Sequence, residues 1–230
     1  MKKSLLKKTI ILNTTFLTYL LIFLSFFSLN SVTAAKSKVF FDDDFENGIS
    51  KWQSVTGLWH LTTNSSHSLT HSMWFGNEST GNYDQGYVTG SLISIPFDLS
   101  RAINASLEFY HWKEVEELGF YDMSSVVISN DSINWNQIYW NNTNVLPWER
   151  LSFDISAYCG NSSVQIRFYF DSIDDEENNY RGWFIDDVFI QGVVKSKLSE
   201  IPGYPIIGII LTIALISLVV IKMSKKNLNI

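Results

Sequence analysis

Short runs of β-branched and aromatic residues recur along the middle of this chain, and they constrain its fold more than any other feature. In the run VQIRFYF, at 164–170, apolar Val, Ile and Phe alternate with Gln, Arg and Tyr, which is the period-two pattern of a half-buried strand. Clusters of Gly, Asn, Asp and Ser separate such runs, and no helical period lasts three turns. The candidate strands are LWHLTT, SMWFG, GSLISIPFDL, ASLEFYHWK, SSVVISN, WNQIYW, ERLSFDI, SVQIRFYFD and GWFIDDVFI. This pattern predicts an all-β domain, an antiparallel β-sandwich of the jelly-roll type.

The two ends of the chain differ from the middle. A basic start, an apolar run and small residues before Lys36 predict a signal peptide at 1–35, although the length of the apolar run leaves a retained signal anchor open. A second apolar run is followed by Lys222, Lys225 and Lys226. It predicts a transmembrane helix at 205–222, after a linker at 192–204 and before a cytoplasmic tail at 223–230. The predicted location is the cell membrane, with the domain at 36–191 outside the cell.

Charge divides the chain in the same way. Residues 36–203 hold ten Lys and Arg and all twenty-three Asp and Glu, a formal charge of −13. Phosphate contact requires the opposite sign, so nucleic acid is excluded as a partner. An acidic surface suits divalent cations or basic partners.

Signatures of catalysis are absent from the sequence. It has no Gly-x-Ser-x-Gly elbow, no phosphate-binding glycine loop and a single cysteine, Cys159. The stretch HSLTH, His67 to His71, has the histidine spacing of a zinc protease, but Ser68 stands where the catalytic glutamate belongs. We therefore expect no enzyme, with a small hydrolase built on paired carboxylates as the least favoured alternative.

Two acidic clusters are embedded in apolar strand sequence. One is Asp186 and Asp187 in RGWFIDDVFI, and the other surrounds Phe45 in FFDDDFENG at 40–48. A buried carboxylate needs a cation, hydrogen-bond donors or an exit to solvent. If the first strand pairs with the last, Glu46 would approach Asp186 and Asp187, and Ca²⁺ could bind there through oxygen ligands.

Eight tryptophans raise the question of a ligand surface. Trp52, Trp59, Trp74 and Trp183 lie inside apolar strand patterns and are predicted to be core residues. The candidates for ligand contact lie among Asn residues near predicted turns; they are Trp135, Trp140 and Trp148.

The order of several motifs resembles that of MAM-like jelly-roll modules appended to secreted bacterial and archaeal proteases of the immune inhibitor A type. The motifs are DDFENG, HSMWFG, NYDQG, ASLEFYHWKEVE, VVISNDSINW, FDISAYCGNSSVQIRFYFDSID and GWFIDDVFI. The resemblance implies neighbouring terminal strands and a structural, calcium-like ion held by Glu46 with Asp186 or Asp187, with Asp44 as a weaker addition. The chain lacks the cysteines of vertebrate MAM domains and the catalytic domain of the proteases.

Together these features predict a non-catalytic surface module that binds an extracellular protein or glycan. The first alternative is an accessory that recruits or presents a separate extracellular hydrolase. Fold-level likeness does not establish function.

Overall fold

The computed structural model of the chain describes residues 35–117 and 120–195, together with the helical positions 213, 214 and 217. Ala35–Lys195 forms one compact unit, and residues 1–34 and 196–230 are assigned to a second. In the second unit, the Ser217 hydroxyl donates to the Ile213 carbonyl (2.8 Å). The predicted tail lies outside the described residues, and so do the predicted signal peptide apart from Ala35, linker residues 196–204 and most of the predicted membrane helix. Residues 192–195 of the predicted linker instead form strand, paired with residues 35–38. No helix among the described residues has the length and apolar character needed to cross a bilayer.

The unit at 35–195 is all-β and antiparallel. Its strands are β1 (Ala35–Asp43), β2 (Trp52–Val55), β3 (Trp59–Thr62), β4 (Ser72–Phe75), β5 (Thr89–Ser94), β6 (Ala102–Glu114), β7 (Met123–Ser129), β8 (Asn136–Asn141), β9 (Val145–Asp154), β10 (Gln165–Asp171) and β11 (Gly182–Lys195). A short 3₁₀ helix, Ser156–Tyr158, follows β9. All nine candidate strands are present, β1 is the first strand expected at the start of the domain, and the structure adds β2.

The strands form two sheets. The six-stranded sheet has the order β3-β4-β11-β6-β9, with β1 also paired to β11. The five-stranded sheet has the order β2-β5-β10-β7-β8. The expected pairing of the first and last strands is confirmed, with Ala35 opposite Lys195 and Asp43 opposite Val188. β7 and β8 are consecutive antiparallel strands and form a hairpin.

The core lies between the two sheets because alternate residues of each strand face inward. Phe170 of the five-stranded sheet meets Phe75 of the other at 4.5 Å between ring centroids. Phe168 packs against Phe109 at 5.0 Å and Trp183 at 5.8 Å in the same way. These ring contacts make the two sheets a sandwich.

The tryptophans expected in the core do not all lie there. Trp52, Trp59 and Trp183 are core residues, as predicted. Trp74 is buried, at 1% exposure, but lies outside the core cluster. Its ring stacks on Phe184 (5.1 Å, 6°) on the outward side of the six-stranded sheet, because it alternates with the core residues Met73 and Phe75.

Candidate ligand-binding site

Asp186 and Asp187 lie where β11 changes its neighbour. β4 pairs with β11 as far as Ile185, and β1 pairs with it from Val188 onward. The register with β6 is interrupted between Asp186 and Phe189, and Asp187 has a left-handed φ of 48°. A bulge of this kind turns side chains away from regular alternation. Both aspartates therefore meet the segment that precedes β4.

Backbone N–H groups of that segment bind Asp186, which is fully buried. Its Oδ2 accepts from the amides of His67 (2.8 Å) and Ser68 (3.0 Å), and its Oδ1 accepts from the amide of Asp187 (2.8 Å). Burial raises the pKa of Asp186 to about 6, although these hydrogen bonds oppose the rise. Backbone N–H donors of the chain itself therefore satisfy the buried Asp186 carboxylate.

Asp187 binds the same segment through side chains. Its Oδ2 lies 2.6 Å from His67 Nδ1, and its Oδ1 accepts from the Ser68 hydroxyl at 2.8 Å. The His67 ring stacks on Tyr110 of β6, with centroids 3.5 Å apart. His67 is thereby fixed between a carboxylate and an aromatic ring.

Glu46 binds the far end of the segment. Its Oε1 accepts from the amides of Thr70 (2.9 Å) and His71 (2.7 Å), and its Oε2 accepts from the Thr70 hydroxyl (2.6 Å) and lies 3.0 Å from His71 Nδ1. Hydrogen bonds from Thr70 and His71 lower the pKa of Glu46 to about 2. Asp44 Oδ1 accepts from the Glu46 amide at 3.2 Å.

These residues do not fit a calcium centre as they are arranged. Ca²⁺ takes six to eight oxygen ligands, whereas N–H and O–H donors already occupy the carboxylates of Glu46, Asp186 and Asp187. Within 35–117 and 120–195, no group of three or more His, Cys, Asp or Glu side chains is placed to hold a metal. His67 and His71 bind different carboxylates. The calcium-like ion expected here stays a prediction.

A cleft of about 340 Å³ adjoins Asp187 on the six-stranded sheet. It is lined by Asp42, Asp43, Asp44, Glu108, Phe109, Tyr110, Arg150, Asp187, Val188 and Phe189. Glu108 pairs with Arg150, and Asp42 lies 3.5 Å from Lys51. Glu108 and Asp42 of this cleft thus form ion pairs with side chains of the domain itself.

The solvent side of the five-stranded sheet carries a different set of side chains. Ser91, Tyr169, Ser125 and Trp140 lie directly opposite one another on β5, β10, β7 and β8. They cross three strand spacings, about 14 Å. We call the surface around this row the Tyr169 face; its members are Tyr87, Ser91, Ser125, Trp135, Trp140, Arg167, Tyr169 and Asp171.

Arg167 lies between two rings on this face. Its guanidinium is 4.8 Å from the centroid of Trp135 and 5.5 Å from that of Tyr169. The Tyr169 hydroxyl donates to Asp171 Oδ2 at 2.8 Å. Desolvation lowers the pKa of Arg167 and raises that of Tyr169. Stacking of this kind holds the guanidinium and both rings in fixed positions.

Two aromatic side chains of the Tyr169 face remain exposed. Trp140 is 39% exposed and Tyr87 is 58% exposed. The charge of Asp171 raises the pKa of Tyr87. Large exposed aromatics among hydroxyl, carboxylate and guanidinium groups are typical of ligand surfaces.

The three tryptophans predicted for ligand contact are therefore divided between two surfaces. Trp135 and Trp140 lie on the Tyr169 face, whereas Trp148 lies on β9 of the other sheet, 6.4 Å from Phe184. On that second surface Arg181 covers both Trp112 (4.6 Å) and Phe184 (5.1 Å). The aromatic rings there are largely hidden by side chains of the domain itself.

Sequence reasoning missed two polar residues inside the sandwich. His111 and Lys113 are fully buried. The Trp183 indole donates to His111 Nδ1 at 3.3 Å, and Lys113 Nζ donates to the Ser124 hydroxyl (2.6 Å) and the Asn141 carbonyl (2.8 Å). The signal was available, because period-two spacing from Leu107 and Phe109 places both residues on the inward side.

Comparison with known proteins gives a partial likeness. No protein-family model matches the chain. Bacillopeptidase F of Bacillus subtilis (strain 168) is 28% identical over 123 residues, which is 54% of this chain and 8% of that protein. The chain thus spans a small fraction of this curated relative. The resemblance to MAM-like modules stays a prediction.

Among solved structures, similar chains include two kinds of carbohydrate-binding module. TmCBM61, solved with β-1,4-galactotriose, gives a TM-score of 0.44 at 15% identity, covering 66% of this chain and 97% of that one. The CBM22-2 xylan-binding domain of Paenibacillus barcinonensis Xyn10C gives 0.43 at 14% identity, covering 66% and 98%. TM-scores this low do not indicate what this chain binds.

Proposed function

We propose that residues 35–195 form a non-catalytic module that binds an extracellular glycan on the Tyr169 face. One observation carries this proposal: an ordered row of aromatic and hydroxyl side chains crosses the solvent side of the five-stranded sheet and ends at the exposed Trp140. A sheet face that served only to meet solvent would not need these rings.

The chemistry of a sugar matches this surface. A pyranose ring has apolar C–H faces that pack on aromatic rings and hydroxyl groups that need hydrogen-bond partners. Trp140 and Tyr169 offer rings, Arg167 offers N–H donors, and Asp171 offers acceptors. Ser91 and Ser125 are small, so they leave space above the sheet between the larger side chains.

The place of the module in the cell is part of the same proposal. The apolar run at 205–222 would anchor the chain in the cell membrane, with the module outside and residues 223–230 in the cytoplasm. The formal charge of −13 on residues 36–203 supports an uncharged glycan over an acidic one.

The test is binding of the full-length protein to an array of neutral and acidic polysaccharides. We expect Trp140→Ala to weaken binding to the best neutral ligand about tenfold, since the lost ring contact contributes up to about 1.5 kcal/mol. Trp148→Ala is the matched control and should bind like the parent. Equal binding by the parent and Trp140→Ala would contradict the proposal.

The partial likeness to bacillopeptidase F supports a second candidate function. The similar segment is a small part of a protein named as a peptidase, so the module would hold or present a separate hydrolase at the cell surface. In that case the immobilised full-length chain would retain peptidase activity from an extract of its own cells, and no glycan on the array would bind.

A further inference from the structure

The guanidinium of Arg167 has hydrogen-bond donors that no described residue uses. Its Nε is buried and has no acceptor among the described residues, and Arg167 takes part in none of their ion pairs. Its two Nη groups are not buried in this way. They can therefore donate to a ligand that lies on the solvent side of the sheet.

A shortage of acids does not explain why this arginine is unpaired. Residues 36–203 carry a formal charge of −13, and on the other sheet Arg150 pairs with Glu108. Two aromatic rings hold the Arg167 guanidinium instead, with centroids at 4.8 and 5.5 Å. These cation–π contacts fix the position of the guanidinium and leave its Nη donors unbound.

Arg167 and Trp140 lie diagonally across the Tyr169 face. Trp140 is opposite Ser125, which is opposite Tyr169, so Trp140 lies two strand spacings from β10, about 10 Å. Arg167 precedes Tyr169 by two residues on β10, which is about 7 Å along the strand. The two positions are therefore about 12 Å apart along the sheet, which is longer than one pyranose ring.

The sheet between these two positions carries smaller side chains. Ser125 and Val127 of β7 lie between β10 and β8 and are 5% and 7% exposed. Val127 is outside the core cluster, because it alternates with the core residues Val126 and Ile128. A serine and a valine rise less far above the sheet than an arginine and a tryptophan, so an extended ligand has room to lie over β7.

We propose that Trp140 and Arg167 are two separate subsites for one neutral oligosaccharide chain. One sugar ring packs on Trp140, and the Arg167 Nη groups bind two adjacent hydroxyl oxygens of another sugar in the same chain. An arginine fork can bind two oxygens at once, as it does with a carboxylate, and neighbouring hydroxyls of a pyranose supply two such oxygens. This inference rests on the proposed function and narrows its ligand to a chain of several sugar units.

The experiment measures how binding depends on the length of the sugar chain. The full-length protein is titrated calorimetrically with mono- to hexasaccharides prepared from β-glucan, mannan, xylan and galactan. We expect the hexasaccharide of the preferred series to bind at least tenfold more tightly than its monosaccharide. Arg167→Met should weaken hexasaccharide binding about tenfold, because hydrogen bonds from a charged group are lost. Arg167→Lys keeps the charge but not the fork, so it should also bind more weakly than the parent.

Arg181→Met is the matched control, because Arg181 also stacks on two rings but on the other sheet, and it should bind like the parent. If Arg167→Met fails to fold, as judged by near-ultraviolet circular dichroism, Arg167→Lys replaces it. Equal affinity of the parent for the monosaccharide and the hexasaccharide would overturn the inference. So would hexasaccharide binding by either Arg167 variant that equals that of the parent; if Trp140→Ala still weakens binding in that case, the proposed function stands. Absence of binding by the parent to every one of these sugars would overturn both.

Discussion

Lys113 gives the sharpest test of the energetics of this domain. Burial lowers its pKa from 10.5 to about 7. At about 1.4 kcal/mol per pH unit, charging this lysine in the folded state costs up to about 5 kcal/mol. The hydrogen bonds that Lys113 donates to Ser124 and Asn141 offset about 1–1.5 kcal/mol of this cost each. We therefore expect Lys113→Met to stabilise the protein at pH 7 by about 2 kcal/mol.

Proton counting fixes how this difference changes with pH. Between pH 7 and 10.5 the unfolded chain holds the Lys113 proton and the folded chain has lost it, so the stability of the parent rises with pH. Lys113→Met lacks this contribution, and its advantage should shrink steadily toward pH 10. The substitution leaves the Ser124 hydroxyl bound to the Asn141 carbonyl at 2.7 Å, so no buried hydroxyl loses its only partner.

The assay is urea unfolding of the full-length protein and of Lys113→Met at several pH values between 6 and 10. Lys51→Met, at an exposed ion pair, is the control and should change stability by less than about 0.5 kcal/mol. If Lys113→Met were less stable than the parent at pH 7, or if its difference from the parent did not vary with pH, the reasoning about the buried charge would be refuted.

Two further predictions address the core and the 67–71 segment. Trp183→Ala removes a fully buried ring that contacts Phe168 and Trp59 and should lower the free energy of unfolding by about 3–5 kcal/mol; a loss below 1 kcal/mol in urea unfolding would contradict the packing described. The pKa of Glu46 is lowered to about 2 in the folded protein, so its contribution is present above pH 4.5 and is lost as pH falls toward 2. Thermal unfolding of Glu46→Gln should therefore show a weaker dependence on pH in that window than the parent, and an identical dependence would remove this role.

Much of the fold could be predicted from local pattern. Strand β10 could be predicted because Phe168 and Phe170, which face the core, alternate with Arg167 and Tyr169, which lie on the solvent side of the sheet. The meeting of the first and last strands was expected and is present. β2 was missed because its sequence, WQSV at Trp52–Val55, places two adjacent polar residues between two apolar ones and so shows no alternation.

The acidic residues were harder to interpret because their partners are distant in sequence. Asp186 meets His67 and Ser68 across more than a hundred residues, and no local pattern encodes that contact. Sequence reasoning correctly held that the carboxylates need partners, but it could not distinguish a cation from backbone N–H groups. Asp122, which is buried, was missed for the same reason, since its carboxylate accepts from the Tyr83 hydroxyl, 39 residues away.

The end of β11 has a mechanical consequence. β11 is 14 residues long and pairs with β6 on one side and with β4 and then β1 on the other. A pull on Lys195 along the strand axis loads both ladders in shear, so many hydrogen bonds must yield together. Among the described strands, β1 pairs with β11 alone, so a pull on Ala35 across the sheet peels it away one residue pair at a time. A module held through its C-terminal strand would therefore withstand tension that would detach its N-terminal strand.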